Sequence, residues 1–317
     1  MRNRRIAVLD LGTNTFHLLI ADLKPDSTLE KVFKSKKVVK LGEGAINRNL
    51  IAETPFQRGL NAIEHYAGII KEHRTDEVYA FATSAVRSAQ NGSDFVEEVK
   101  KRTGIEIRVI SGEEEARLIS LGVHQCVEFK DKASLIMDIG GGSTEFIIVS
   151  NNGIHAKHSF NIGAARLLEK FKPSDPITEE EIASIHKFLS NEVAPLDDSI
   201  KKYPVSELIG SSGSFDTFAE MIGYRFYGKN IIKNVNHYKF EIREYKKLHE
   251  LILKSTFNQR LKMKGLIRMR VDMIVLASVC TMFVLRRYKI NELHLSKYAL
   301  KEGALWEIIQ EQTQIQF

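Results

Sequence analysis

The stretch LIMDIGGGSTEFIIV, residues 135–149, decides how the rest of the chain is interpreted. Two apolar runs flank the turn at residues 140–143, a pattern typical of a β-hairpin. Three consecutive glycines allow backbone N–H groups to converge on one anion. Asp138 enters the turn and Glu145 leaves it, and two carboxylates beside a phosphate are what Mg²⁺ requires. The alternative is a glycine-rich hairpin with two solvated acids.

A second stretch, VLDLGTNTFHLLIA at residues 8–21, has the same design. Aligned without gaps, Asp10 falls on Asp138 and Thr15 falls on Ser143, at a constant offset of 138 − 10 = 128. An internal repeat at this distance predicts two similar domains that each open with a hairpin. Two facing turns of this kind would hold one phosphate chain between them.

Five motifs follow one another along the chain: DLGTNTFHLLI from residue 10, TSAVR from 83, SGEEEARL from 111, DIGGGSTE from 138 and GSSGS from 210. In this order they resemble the exopolyphosphatase / guanosine pentaphosphate phosphohydrolase family, in its short form. That family belongs to the superfamily of acetate kinase, sugar kinases, heat-shock chaperone ATPases and actin. The resemblance extends from the first residues to the C-terminal helix.

The resemblance implies an α/β fold with two similar ribonuclease H-like domains, as in the actin-like ATPases, and a central interdomain cleft. We expect an N-terminal domain at residues 1–125 and a C-terminal domain at residues 126–302. The final helix, about residues 303–317, is expected to pack back on the first domain.

The resemblance also implies roles for residues of the five motifs. Glu115 would be the general base that activates water, Arg87 would clamp phosphate, and Asp138 and Glu145 would bind a divalent metal, with Glu145 also positioning the water. The implied phosphate-binding residues are Asp10, Thr13, Asn14, Thr15, Gly140, Gly141, Gly142, Ser143, Gly210, Ser211, Ser212 and Gly213. The implied cofactor is Mg²⁺ or another divalent cation.

Periodicity alone supplies one argument about Glu115. Ser111 and Glu114 have the spacing of a capping box at a helix start. Glu115 shares a helical face with Leu118 and Ile119, so it is predicted to point inward, where a carboxylate is a candidate base. The alternative is that the acids at residues 113–115 only complement the helix dipole.

Elsewhere the patterns predict helices at residues 52–73 and 88–103, with TSAVR as a strand-to-helix loop between them. Residues 210–214 are predicted to form a turn of small residues before a helix at 215–222. Such a turn is either an anion site or an ordinary N-cap loop.

We interpret residues 223–240 as an irregular insert. The apolar run at residues 273–285 is interpreted as a buried helix because it is too short to span a membrane.

The net charge of +6 fits an anionic partner. A basic run at residues 258–270 is either a polyanion track or a solvated face. It lacks the interleaved aromatic residues that stack bases, so nucleic acid is not the expected partner.

Cys126 and Cys280 are interpreted as reduced core thiols, and we expect a cytoplasmic protein without membrane contact. A homodimer is one option for its oligomeric state.

Three functions share this fold. The motif set favours a hydrolase that releases terminal phosphate from polyphosphate, guanosine pentaphosphate or both. A nucleotide-gated switch or scaffold of the actin or chaperone type is the alternative, and a sugar or acetate kinase would need an acceptor pocket for which no motif is found. One motif departs from the family: Ser296 to Gly303 reads SKYALKEG, with Lys301 in place of arginine. Because of this change, the substrate contacts that the family makes through that loop are not carried over to this chain.

Overall fold

The computed structural model describes residues 3–26 and 28–313 of the 317-residue chain. Its backbone divides into two compact units. Unit 1 holds the described residues of Met1–Gly122 and Leu300–Phe317, and unit 2 is Val123–Ala299. Each unit combines a mixed β-sheet with helices, so the predicted two-domain α/β class is confirmed.

The sheet of unit 1 has the order β3-β2-β1-β4-β5. Its strands are Arg4–Leu11 (β1), Thr15–Leu23 (β2), Leu29–Val38 (β3), Glu77–Ala82 (β4) and Ile107–Val109 (β5). Strands β1 to β3 form an antiparallel meander, and β4 and β5 run parallel to β1. Its helices before residue 125 are Glu53–Glu72 (α1), Ser84–Ser88 (α2), Gly92–Thr103 (α3) and Gly112–His124 (α4). Apolar side chains of α1 and α3 pack on one face of the sheet.

The sheet of unit 2 has the order β10-β11-β9-β6-β7-β8. Its strands are Ala133–Ile139 (β6), Thr144–Ser150 (β7), Gly153–Phe160 (β8), Val205–Ser211 (β9), His237–Phe240 (β10) and Glu292–Ser296 (β11). Its helices are Ala164–Phe171 (α5), Glu179–Glu192 (α6), Ala194–Lys202 (α7), Ser212–Phe226 (α8), Ile242–Leu253 (α9), Phe257–Arg260 (α10) and Ile274–Arg287 (α11). The last helix of the chain, Leu300–Thr313 (α12), returns to unit 1 and contacts β1.

The two predicted hairpins are confirmed, with one shared register. Asp10 pairs with His17 across β1 and β2, and Asp138 pairs with Glu145 across β6 and β7. Both members of the second pair lie 128 residues after their counterparts in the first. The turns also match, because the first glycine of each donates its N–H to the carbonyl of the residue three positions later, at 3.2 Å and 3.0 Å.

The helix predicted for residues 88–103 is wrong in its first turn. The chain instead forms the short α2, which includes most of the TSAVR loop, and then breaks before α3. The side chain of Asn91 accepts from the N–H of Ile51 and donates to its carbonyl, both at 2.9 Å. This contact across 40 residues fixes the break, and local periodicity does not report it.

Two further expectations in unit 2 are wrong. Residues 210–214 do not form a separate turn, since β9 continues to Ser211 and α8 begins at Ser212. The change of direction occurs at Ser212, which has a left-handed φ of 69°. The segment at residues 223–240 is not wholly irregular, because α8 extends to Phe226 and β10 adds a strand at the sheet edge.

The apolar run at residues 273–285 forms α11, and its residues Ile274 to Leu285 are all buried, as predicted. In the part of the chain that the structure describes, no helix is both long enough and apolar enough to cross a bilayer.

Candidate active site

In unit 1 the turn between β1 and β2 is anchored through its carbonyl oxygens. The carbonyl of Thr13 accepts from the N–H of Gly42 at 3.3 Å. The carbonyl of Asn14 accepts from the N–H groups of Val39 and Lys40, both at 2.9 Å. In a trans peptide the next N–H points away from the carbonyl. The N–H groups of residues 14 and 15 therefore face away from the loop that anchors the turn.

Two buried hydroxyl groups lie in the predicted motifs of unit 1. Thr13 is 3% exposed and Ser84, at the start of α2, is 2% exposed. Neither hydroxyl oxygen has a hydrogen-bond partner among the described residues. Buried polar groups are normally paired with protein, water or a ligand. These two hydroxyls are therefore suited to a polar ligand. Ser84 was not among the predicted site residues, although it lies within TSAVR.

Arg87 and Glu115 form one ion pair in unit 1. Glu115 is 8% exposed, so the inward orientation predicted from periodicity is confirmed. The Nη1 atom of Arg87 donates to Glu115 Oε2 at 2.8 Å and to the carbonyl of Ile110 at 3.0 Å. An arginine carries five N–H donors, so this pairing leaves others for a second anion.

The start of α4 explains why Glu115 points inward. Ser111 Oγ accepts from the N–H of Glu114 at 3.1 Å, which fixes the first turn. The carboxylate of Glu114 is paired with Arg117 through bonds of 2.9 Å. The backbone and side chain of Glu114 are thus both bonded within the first turns of α4. The carboxylate of the next residue, Glu115, is the one directed toward Arg87.

In unit 2 the glycine turn between β6 and β7 turns its carbonyls toward α5. The N–H groups of Ala164 and Ala165 donate to the carbonyls of Gly140 and Gly141, both at 2.9 Å. The Nε atom of Arg166 donates to the carbonyl of Gly142 at 3.0 Å. All three carbonyls thus point at the start of one helix.

The direction of these carbonyls also fixes the direction of the N–H groups of the same turn. Each N–H that follows one of these carbonyls points in the opposite direction, because the peptides are trans and planar. The N–H groups of Gly141, Gly142 and Ser143 are therefore directed away from α5. Successive N–H groups that face one side form a concave anion site.

Gly163 and Arg166 support this turn, and sequence reasoning missed both. A Cβ atom on Gly163 would lie 2.5 Å from the carbonyl carbon and oxygen of Gly141, so only glycine allows α5 to approach this closely. Arg166 is 7% exposed, and its side chain is bonded to the turn. The sequence offers one signal for this support, a glycine at the start of the segment that forms α5.

The two acids of DIGGGSTE lie side by side. Asp138 and Glu145 are direct cross-strand partners, so their side chains share one face of the sheet. They are 7% and 1% exposed. Ser211 Oγ donates to Asp138 Oδ2 at 2.5 Å, and Ser159 Oγ donates to Glu145 Oε1 at 2.7 Å. Two neighbouring carboxylates, each oriented by a hydroxyl group, fit a hard cation such as Mg²⁺.

The segment at residues 210–213 has internal partners. Ser211 is bonded to Asp138, as described, and Ser212 Oγ donates to the carbonyl of Ile139 at 3.0 Å. The guanidinium of Arg270 packs against Gly213 and donates to Thr217 Oγ1 at 2.5 Å. Burial lowers the pKa of Arg270, against the opposing effect of two nearby acids. A cation beside the start of α8 was not expected, because Arg270 was seen only as part of a basic run.

The basic run is only partly a solvated face. Lys262, Lys264 and Arg268 are exposed. Arg260 is 5% exposed and is bonded to Asp175 at 2.8 Å and to the carbonyl of Val271 at 3.1 Å. Arg260 therefore holds the loop together and does not contribute to a surface track.

The altered motif from Ser296 to Gly303 is also internally bonded. Ser296 Oγ donates to the carbonyl of Tyr298 at 2.7 Å, and the Tyr298 hydroxyl accepts from Asn236 at 3.0 Å. Lys301 is 8% exposed, and its Nζ lies 3.1 Å from Glu302 Oε2. The lysine that replaces the family's arginine thus has a carboxylate partner within α12.

Comparison with known proteins gives one consistent result. The model of the Ppx/GppA phosphatase family matches residues 19–312. The crystal structure of an exopolyphosphatase from Cytophaga hutchinsonii has a TM-score of 0.94 and 38% identity, and the match covers 97% of this chain and 98% of that chain. The Ppx/GppA family member of Aquifex aeolicus has a TM-score of 0.80 and 26% identity, with 98% and 99% covered. Exopolyphosphatase 1 of Mycobacterium tuberculosis is 27% identical over 304 residues, which cover 95% of this chain and 87% of that protein.

Proposed function

Since the chain belongs to the Ppx/GppA phosphatase family, we propose that it hydrolyses the terminal phosphoanhydride bond of polyphosphate in a metal-dependent reaction, with Glu115 as general base. Guanosine pentaphosphate ends in the same kind of bond and is the second proposed substrate. The exopolyphosphatase relatives support polyphosphate as the main one.

The observation that carries the proposal is the glycine turn beside two buried carboxylates in unit 2. Its N–H groups at residues 141–143 would donate to phosphate oxygens, as backbone groups of anion nests do. Asp138 and Glu145 would hold Mg²⁺ or another divalent cation. When bound, that cation would offset negative charge on the phosphates. The hydroxyl of Ser211 and that of Ser159 orient the two carboxylates for this task.

Unit 1 would supply the groups that act on water and on the transferred phosphoryl. Glu115 accepts one proton from the attacking water, whose oxygen forms a bond to the terminal phosphorus. The bridging P–O bond breaks, and its electron pair stays on the shortened chain. Orthophosphate and the shortened polyphosphate are the products. Because charge builds on the phosphoryl oxygens, donors already in place lower the barrier.

The remaining predicted residues take supporting roles in this proposal. Thr13 and Ser84 would offer buried hydroxyl donors. Arg87 would position Glu115, and its other N–H groups would donate to the phosphoryl. Asp10, Asn14 and Thr15 belong to the first turn, which would bind phosphate through its N–H groups. The contribution of residues 210–213 would be indirect, mainly through Ser211 and Asp138.

The proposed compartment is the cytoplasm. Both cysteines of the described chain are free thiols. Burial raises the pKa of Cys280 to about 12, so its thiol stays protonated and unreactive.

The test is phosphate release by the full chain from short polyphosphate, long polyphosphate, guanosine pentaphosphate and ATP, with Mg²⁺ and with a chelator. We expect Mg²⁺-dependent release from polyphosphate. Tight ATP binding without turnover of any of these anhydrides would overturn the proposal in favour of a nucleotide-gated switch.

A further inference from the structure

A second polar cluster lies in unit 2, toward the beginning of β9. Glu207 of β9 pairs directly with Glu292 of β11, so the two side chains are neighbours on one face of the sheet. His294 follows Glu292 by two residues on β11 and therefore projects to the same face. None of these residues belongs to the five motifs. Glu207 lies four positions before Ser211 on β9, and Glu292 and His294 lie on the adjacent strand β11.

The three side chains place their donor atoms at the spacing of a metal site. His294 Nε2 lies 3.4 Å from Glu207 Oε2 and 3.7 Å from Glu292 Oε2. One ligand atom from each of the three residues lies within 4.8 Å of the other two. Ligands about 2.1 Å from a tetrahedral Zn²⁺ ion are separated by about 3.4 Å. The two distances from His294 Nε2 are therefore close to those between ligands of a bound ion.

His294 carries an independent sign that a partner is expected. The residue is 7% exposed, yet its Nε2 atom has no hydrogen-bond partner among the described residues. Buried ring nitrogens are rarely left without a partner. Here the atom faces two carboxylate oxygens, and a cation between them would satisfy all three groups.

The surrounding contacts match those of metal ligands in other proteins. His294 Nδ1 lies 3.0 Å from His237 Nε2, and the planes of the two rings are nearly parallel, at 9° to each other. Ser134 Oγ donates to Glu207 Oε1 at 2.7 Å. A ligating imidazole normally has its other nitrogen hydrogen-bonded, and ligating carboxylates are held by a further donor. Both conditions are met.

Two lysines now balance the carboxylate charges. Lys130 Nζ lies 2.7 Å from Glu207 Oε2, and Lys239 Nζ lies 2.8 Å from Glu292 Oε2. Their side chains are 59% and 57% exposed. The Lys239–Glu292 pair is exposed on both sides and contributes little. Lys130 is also exposed, although its partner Glu207 is buried, so both flexible amines can move into water when a divalent ion arrives. The competing explanation is that the lysines are the only partners and the cluster is an ordinary ion-pair network.

A cavity of about 580 Å³ adjoins the cluster, and its wall includes Lys130, Glu207, His237 and His294. It gives an ion a route to the site and leaves space for water on the open side.

We propose that Glu207, Glu292 and His294 bind one divalent transition-metal ion, with Zn²⁺ favoured by the imidazole and carboxylate donors. Mg²⁺ and Ca²⁺ are disfavoured there because they prefer oxygen ligands throughout.

The test uses the full chain, stripped with a chelator and then held in excess Mg²⁺ to occupy hard oxygen sites. Zn²⁺ is titrated by calorimetry, and Co²⁺ serves as a probe through its visible absorption. We expect about one ion per chain and the strong absorption of a four-coordinate Co²⁺ site. His294→Gln and Glu292→Gln should each weaken binding by about 10- to 100-fold or more.

The matched control is His155→Gln, which alters a half-buried histidine of the same unit that is bonded to Ser150. It should bind Zn²⁺ like the wild type. Glu292 is half exposed, so its variant keeps the test valid if His294→Gln fails to fold. Absence of stoichiometric Zn²⁺ binding by the folded wild type would overturn the proposal. So would equal binding by wild type and Glu292→Gln, which would leave only the lysine ion pairs.

Discussion

Arg87 donates through Nη1 to Glu115 Oε2 at 2.8 Å, and the same nitrogen donates to the carbonyl of Ile110 at 3.0 Å. The guanidinium therefore ties the carboxylate to the backbone that precedes α4. An acid held in this way is fixed in orientation before any substrate arrives, and a catalytic group already held in the reactive geometry lowers the barrier.

Arg87→Lys should keep the charge but lose this geometry. A lysine is a point charge on a flexible stem and cannot contact the carboxylate and the carbonyl in the same fixed fork. We expect kcat to fall by about 10- to 100-fold, since a displacement of about 1 Å can cost that much. The control is Arg102→Lys, which alters a surface arginine paired with Glu98. Wild-type kcat in Arg87→Lys would show that the pair does not position the base.

Ser211→Ala should weaken metal binding. It removes the hydroxyl that donates to Asp138 Oδ2 at 2.5 Å, and such outer contacts are worth about 10- to 100-fold in metal affinity. The Mg²⁺ concentration for half-maximal phosphate release should rise by that factor, and excess Mg²⁺ should restore most of the rate. Ser206→Ala, on an exposed position of the same strand, is the matched control. An unchanged Mg²⁺ dependence in Ser211→Ala would contradict the role given to Asp138.

Gly163→Ala should displace the glycine turn from α5. The added Cβ would meet Gly141 at 2.5 Å, so either the helix start or the turn must shift. We expect a rise in KM for polyphosphate, because the N–H groups that would contact phosphate move with the turn. Gly68→Ala is the control, since a Cβ there meets nothing within 4 Å. It should leave KM unchanged and stabilise α1 by up to about 1 kcal/mol. Equal KM in both variants would count against the nest.

His249 should make the protein less stable in mild acid. Its imidazole is buried and bonded to Ser278 at 2.8 Å, and burial lowers its pKa from 6.5 to about 4. The folded state then favours the neutral ring. The contribution of His249 to the free energy of unfolding is fully present above pH 6.5. It is lost as the pH drops from 6.5 to about 4, which lowers the free energy of unfolding by about 3 kcal/mol at most. Urea unfolding between pH 4 and 7.5 measures this slope.

His249→Gln keeps a hydrogen-bonding side chain but does not titrate, so it should flatten the slope. His65→Gln, on an exposed position of α1, should retain it. A slope in His249→Gln as steep as that of the wild type would assign the acid sensitivity to other groups.

The parts of the fold that could be predicted are those that depend on the spacing of residues close together in the chain. The hairpins at residues 10 and 138 repeat acid, glycine and hydroxyl residues at fixed distances, and the structure keeps that offset in its register. The inward orientation of Glu115 followed from helical periodicity. Both rest on residues close together in the chain, where sequence patterns carry geometric information.

The missed features depend on contacts between distant residues. Asn91 breaks a predicted helix through a backbone 40 residues away. Arg166 reaches the glycine turn 24 residues before it, and Arg270 reaches Thr217 across 53. The cluster of Glu207, Glu292 and His294 exists only because β9 and β11 are paired in one register. None of these pairings can be read from the spacing within one segment.

The proposed mechanism depends on Glu115, which would take a proton from the attacking water. The most direct test is phosphate release from polyphosphate by Glu115→Gln beside Glu113→Gln, which alters an exposed acid of the same helix turn. Glutamine keeps the shape of the side chain but cannot act as a base. We expect kcat to fall by about 10²- to 10⁴-fold in Glu115→Gln and to be unchanged in Glu113→Gln. A Glu115→Gln variant that releases phosphate at the wild-type rate would contradict the proposed mechanism.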